Sequence, residues 1–183
     1  MSLVSPSISE LALETTTLEV WREFLALWFD GGSHAVGANN AIPFPLVTLR
    51  FQQSALPQPL APVPTDSGVA LTLTWNIPGT VRLEWEGAQQ IAFSACTWLF
   101  WVRASGSNTG AGGEKVAARE ASEKLFALLQ NNHATRDLHE KGIHHLRPRV
   151  PQLIAEGAGG DSAFSMRLLT CRGLLRYTVK SQI

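Results

Sequence analysis

Apolar residues recur at helical spacing in two segments of this chain and at strand spacing in several others. From Thr17 to Phe29, Leu18, Trp21, Leu25 and Trp28 fall at i, i+3, i+7 and i+10, with Phe24 beside them, while Glu19, Arg22 and Glu23 take the other side. That spacing predicts a helix with one apolar face. Thr16 and Glu19 have capping-box spacing, Ser7 and Glu10 offer an earlier start, and Asp30-Gly31-Gly32 supplies a stop. The second helical segment is Glu114 to Asn131. Ala117, Ala121, Leu125, Leu128 and Leu129 form its stripe, and Lys115, Arg119, Glu120, Glu123 and Lys124 lie elsewhere.

The strand signals have a period of two. Val47, Leu49 and Phe51 alternate with Thr48, Arg50 and Gln52, so Leu46 to Gln52 reads as a strand. Val69, Leu71, Leu73 and Trp75 alternate with Ala70, Thr72 and Thr74, and Val81, Leu83 and Trp85 alternate with Arg82, Glu84 and Glu86. Asn76-Ile77-Pro78-Gly79 between these two runs reads as a hairpin turn, with one polar face toward solvent or a partner. Ile91 to Ala104 is apolar at both parities, which predicts a central strand covered on both faces. Its 14 residues would reach on the order of 45 Å, long enough to pass beyond its own sheet. Ile143 to Val150, Phe164 to Thr170 and Leu174 to Lys180 read as further strands, and Cys171-Arg172-Gly173 is a tight turn or a glycine bulge.

The intervening segments are loops. Gly31 to Pro45 is small and polar. The segment from Gln53 to Gly68 carries Pro57, Pro59, Pro62 and Pro64 and is expected to be a stiff, extended surface connection. Ser105 to Gly113 contains four glycines. The expected fold is therefore α+β: one domain over residues 1–183, a mostly antiparallel or mixed sheet, two main helices packed on it, and an amino-terminal extension over residues 1–16.

Composition narrows the function classes. Charged residues make up only 16% of the 183 residues, with Lys+Arg 15 against Asp+Glu 15. So few charges suit a surface partly covered by partners, and the balance argues against a protein whose task is to coat nucleic acid. The zero net charge is unevenly spread. Residues 1–99 hold three arginines against eight acids, net −5, and residues 100–183 hold twelve basic residues against seven acids, net +5. Such halves attract within one fold or between copies. No apolar run reaches the roughly 18 residues that a membrane span needs. The first residues lack a basic region followed by an apolar stretch, so no secretion signal is expected. Cys96 and Cys171 lie in apolar strand runs and are expected to be buried free thiols.

Candidate chemistry is sparse. Gly106 to Lys115 stands between a strand and a helix, as a phosphate-binding loop would, but Glu114 precedes Lys115 and Val116 stands where a hydroxyl should. A flexible connection is the better reading. His139 and His144 are separated by Gly142, and adjacent His144 and His145 would point to opposite faces of a strand, so no metal site is expected there. No GxSxG elbow is present. No catalytic residue, cofactor or metal is assigned. Lys141, His144, His145, Arg147 and Arg149 form a basic cluster that would touch phosphate backbone or acidic neighbours, or lie on a solvated loop.

The order of elements carries a likeness. An amphipathic helix, a proline-interrupted first strand and a β-meander are followed by the apolar strand Ala95-Cys96-Thr97-Trp98-Leu99-Phe100-Trp101-Val102, a glycine-rich loop, an alanine-rich helix, a Gly142-Ile143 turn and a last strand ending Leu174-Leu175-Arg176-Tyr177-Thr178-Val179. From Leu18 onward this resembles the tail-terminator, or tail-completion, proteins of long-tailed bacteriophages and phage-like particles. The resemblance implies a structural virion protein at the tail–neck junction, assembled in the host cytoplasm, and not an enzyme. It implies a homo-oligomeric, hexameric ring on the tail tube protein that ends tube polymerisation, joins the head-tail connector protein and lets DNA pass passively through its lumen. On that reading Arg82, Glu84 and Glu86 of the meander and Ser107, Asn108 and Thr109 of the glycine-rich loop lie near ring interfaces or the lumen, and Lys141, Arg147 and Arg149 are further interface candidates. The other readings are a soluble α+β binding module or small enzyme, and another neck or tube protein of a phage particle.

Overall fold

The computed structural model describes residues 10–29, 47–52, 69–76, 82–105, 113–157 and 163–179. Two long strands dominate it: β4 (Gln89–Ser105) and β7 (Phe164–Val179). They run antiparallel in unbroken register from Gln90↔Val179 to Ser105↔Phe164. At strand rise the 17 residues of β4 extend about 55 Å. The expected overrun does not occur, because β7 accompanies β4 along this whole length.

Each long strand carries two shorter ones in succession along its outer edge. On β4 these are β2 (Val69–Asn76), which pairs with residues 97–104, and β3 (Arg82–Glu86), which pairs with residues 89–93. On β7 they are β5 (Ile143–Pro148), opposite residues 171–175, and β6 (Gln152–Gly157), opposite residues 164–168. A further strand, β1 (Val47–Gln52), lies parallel to β2 and makes the sheet mixed. The expected hairpin between β2 and β3 is thus absent. Strand β4 is long enough to seat both end to end along one edge, and the tight turn falls at Gly87-Ala88 between β3 and β4. Gly87 takes φ +61°, a conformation that glycine adopts without cost.

The helices are α1 (Glu10–Phe29), α2 (Gly113–Gln130) and the short α3 (Arg136–Glu140). Helix α1 already includes Thr16 and Thr17, so the Thr16 start does not hold and residues 10–16 are helix rather than extension; Ser7 lies outside the described residues. Thr17, Val20, Trp21, Phe24 and Leu25 are its buried line. Helix α2 buries Glu114, Ala118, Ala121, Ser122, Leu125 and Leu129. Lys124 Nζ on α2 donates to the Trp28 carbonyl at 3.2 Å, tying the two long helices together.

Alternation sorts the sheet into two faces. The even-numbered residues of β4, Cys96, Trp98, Phe100 and Val102 among them, form the core with Val69, Leu71, Leu73 and Trp75 of β2, Leu169, Cys171 and Leu175 of β7, and the three helices. Trp21 stands at the centre. It meets Phe24, Trp98 and Phe100 edge-on at 5.9, 5.3 and 5.2 Å between ring centroids. Burial of that indole and its edge contacts contributes several kcal/mol, on the order of 3–5. The opposite face of β4 also buries Ile91 and Trp101, and Trp101 Nε1 donates to Thr74 Oγ1 at 3.0 Å. Among the described residues no helix packs on that face, so the expected cover on both sides is met by helices on one side only.

Cys171-Arg172-Gly173 is neither a turn nor a bulge in the ladder with β4. The three residues continue β7, with Gly173 opposite Cys96. A Cβ at position 173 would stand 2.7 Å from Trp98 Cζ3 and 3.0 Å from the His144 carbonyl oxygen. The glycine is there for space.

Candidate functional site

The basic cluster gathers where α2, α3 and β5 meet. The register of β5 on β7 shifts between His144 and Arg147. Within that irregularity His145 takes φ +52°, which breaks the strand alternation. His144 and His145 therefore do not point to opposite faces as expected; their ring centroids are 6.4 Å apart. Helix α3, unforeseen in the sequence, brings the His139 ring to stack on His144 at 5.8 Å. Burial, then the neighbouring His139, Arg176 and His145 charges, hold the His144 pKa below its ordinary value. No trio of His, Cys, Asp or Glu among the described residues is arranged to hold a metal ion. An open cleft of about 640 Å³ beside the cluster is lined by Asn132, Thr135, His139, His145, Arg147 and neighbours.

Several predicted interface residues pair within the chain. Arg82 holds Glu84 at 2.9 Å, Arg176 holds Glu86 at 2.6 Å, and Lys141 is paired with Glu23 of α1. All are solvent-exposed pairs, each worth about 0–1 kcal/mol, so they do not remove these groups from use by a partner. Arg147 and Arg149 form no ion pair among the described residues. Arg147 stands opposite Arg172 across the β5–β7 ladder, an unfavourable arrangement of like charges. Ser107, Asn108 and Thr109 lie outside the described residues, as does the proline-rich segment. Glu114 is buried in the first turn of α2. A carboxylate thus occupies the helix terminus where a bound phosphate would have to sit, which disfavours the phosphate-loop reading.

The sequence reasoning missed the exposed apolar residues. Among the described residues the large ones are Leu83 and Trp85 on β3, Val150, Leu153 and Ile154 at and beside β6, and Val116 on α2. Apart from Val116 they fall on two opposite edges of the sheet. Strand β3 is exposed throughout, and Trp85 is 67% accessible. Val150 is 68% accessible. Among the described residues, β3 pairs with β4 alone and β6 with β7 alone, so each presents a free strand edge. The signal was present in the Glu84-Trp85-Glu86 triplet, which a solvent-facing strand explains and a core strand does not.

No protein-family model matches the chain. No curated protein matches it either. Eleven solved chains do match. One is 14% identical and aligns over 91% of this chain and 96% of its own length, with a TM-score of 0.40. Its description names no activity, and at that score the likeness carries no functional argument. The cysteines bear out their expected place: Cys96 and Cys171 are buried free thiols, with burial pushing each pKa up to about 12. That chemistry suits packing and is remote from a reactive nucleophile.

Proposed function

We propose that this chain is a structural protein of a phage or phage-like particle, which self-associates into a hexameric ring on the tail tube protein. The ring ends tube polymerisation and offers the surface that meets the head-tail connector. The observation that carries self-association is β3: an edge strand with Leu83 and Trp85 uncovered on a chain with few charged residues. The assignment to a tail terminus rests on the resemblance in element order and on the α+β fold that accompanies it. Transfer of DNA through the lumen is passive on this reading, and the chain performs no catalysis.

The test is absolute mass by light scattering behind a sizing column, across concentration and salt, with negative-stain images of the same fractions and of tail tubes mixed with the protein. Rings of about six subunits, free or at tube ends, support the proposal. A chain that stays monomeric and leaves tube ends bare overturns it. The cleft at His139, His145 and Arg147 would then direct attention to the binding-module reading.

A further inference from the structure

We infer that the 82–86 edge of one copy seats on the 147–154 edge of the next, joining chains head to tail through two different surfaces. The inference rests on the self-association proposed above and names the surfaces that perform it.

Four features of the two edges agree. Apart from Val116 on α2, the exposed large apolar side chains of the described residues divide between them: Leu83 and Trp85 on one, Val150, Leu153 and Ile154 on the other. The strands match in length, five residues in β3 and six in β6, and each has one edge free among the described residues. That suits strand addition, with main-chain bonds across the seam and side chains giving specificity. The faces also agree. Leu83 and Trp85 lie opposite Ala92 and Gln90, and Leu153 lies opposite Arg167, all on the helix-bearing side of the sheet. Joining the edges therefore prolongs one apolar layer from copy to copy. Finally the charges are complementary. The first edge holds one arginine against Glu84 and Glu86, while the second carries Arg147 and Arg149 without acids of its own between residues 147 and 154. An acidic neighbour would relieve the like-charge pair of Arg147 and Arg172.

The two edges sit diagonally across the sheet, β3 at the 89–93 end of β4 and β6 at the 164–168 end of β7. A contact between them is heterologous. It leaves one of these two edges free at each end of any open assembly, and a closed ring pairs both of them in every copy. A twofold dimer through β3 alone would leave Val150, Leu153 and Ile154 uncovered.

The experiment uses two full-length variants, Leu83→Cys and Leu153→Cys, with Trp85 retained in both, treated with a short bis-maleimide at a concentration where light scattering shows assembly. The native thiols, buried with pKa values of about 12, stay silent. The expected result is a covalent dimer in the mixture of the two variants and none in either alone. Cross-linking of Leu83→Cys with itself overturns the inference in favour of a twofold contact. Assembly without cross-linking in the mixture also overturns it, while leaving the ring reading intact. A monomer on scattering, also in the presence of tail tubes, refutes the ring reading and the inference with it. In the same assay Trp85→Ser is expected to weaken association at least about thirtyfold, as loss of an interface tryptophan anchor does, with an unchanged circular dichroism spectrum. An unchanged association constant refutes the role of that edge.

Discussion

Replacing Gly173 with alanine tests the packing at the centre of the fold. The added methyl would stand 2.7 Å from Trp98 Cζ3, 3.0 Å from the His144 carbonyl oxygen and 3.2 Å from Leu146 Cδ2. Neither of the two nearest neighbours moves freely. The Trp98 ring is fully buried and lies against Trp21 at 5.3 Å, and the His144 oxygen belongs to the backbone of β5. Overpacking of this kind costs about 1–3 kcal/mol. The lower entropy of the unfolded chain returns about 0.4–1 kcal/mol. The net expectation is a loss of about 1–2 kcal/mol. With a urea slope of about 1–3 kcal/mol per molar, the midpoint falls by roughly 0.3–2 M. The thermal midpoint falls by about 2–8 °C for a chain of this size. Tryptophan fluorescence against urea reads the first and calorimetry the second. Gly87→Ala provides a contrast: nothing lies within 4 Å, but φ is +61°, so its cost of about 1–2 kcal/mol arises from the backbone alone. Trp98→Phe should partly rescue Gly173→Ala and leave the Gly87→Ala loss untouched, because only the first pair is in contact. An unchanged or raised midpoint for Gly173→Ala refutes the reasoning.

Three further outcomes follow from named groups. Thr74→Val removes the acceptor of the buried Trp101 indole N–H and should cost about 1–3 kcal/mol in urea unfolding, a larger loss than at an exposed threonine. His144 has a folded pKa below its unfolded value near 6.5, so the unfolded chain binds the proton more readily. Stability is therefore full above that unfolded value and declines as pH falls below it; His144→Gln should flatten the decline between pH 7 and 5 in urea midpoints. Cys96 and Cys171 should resist a thiol reagent at pH 8 in the native state and react at two thiols per chain in denaturant. Rapid native labelling would show that the two strands open locally.

Much of the fold was legible because local pattern and global packing agree. The 3.6-residue spacing around Trp21 and Leu25 and around Ala121 and Leu125 marks helices whose buried faces are those residues. The alternation of Val69, Leu71, Leu73 and Trp75 marks a strand with that side on the core. The candidate site was less legible. The basic residues were visible as a run, but the stacking of His139 on His144 depends on α3 and on a positive φ at His145. The partners of Glu84, Glu86 and Lys141 lie 2, 90 and 118 residues away along the chain, and only the first separation is local.

The sequence by itself determined the α+β class, the two long helices, the buried thiols and the apolar identity of the central strand, since each follows from the period and chemistry of neighbouring residues. Tertiary structure alone decided which strands pair. Asn76-Ile77-Pro78-Gly79 has the chemistry of a hairpin turn, yet β2 and β3 both join β4, because a strand of 17 residues offers two seats on one edge. It also decided the meaning of Gly173, whose missing side chain makes room for Trp98 from a strand 75 positions earlier in the chain. Exposure was decided the same way. Leu83 and Leu73 share an identity and an alternating context, but only Leu73 lies beneath the helices, while Leu83 stands at a free edge. Periodicity records which side of a strand an apolar residue takes, and the packing of distant elements settles whether anything covers that side.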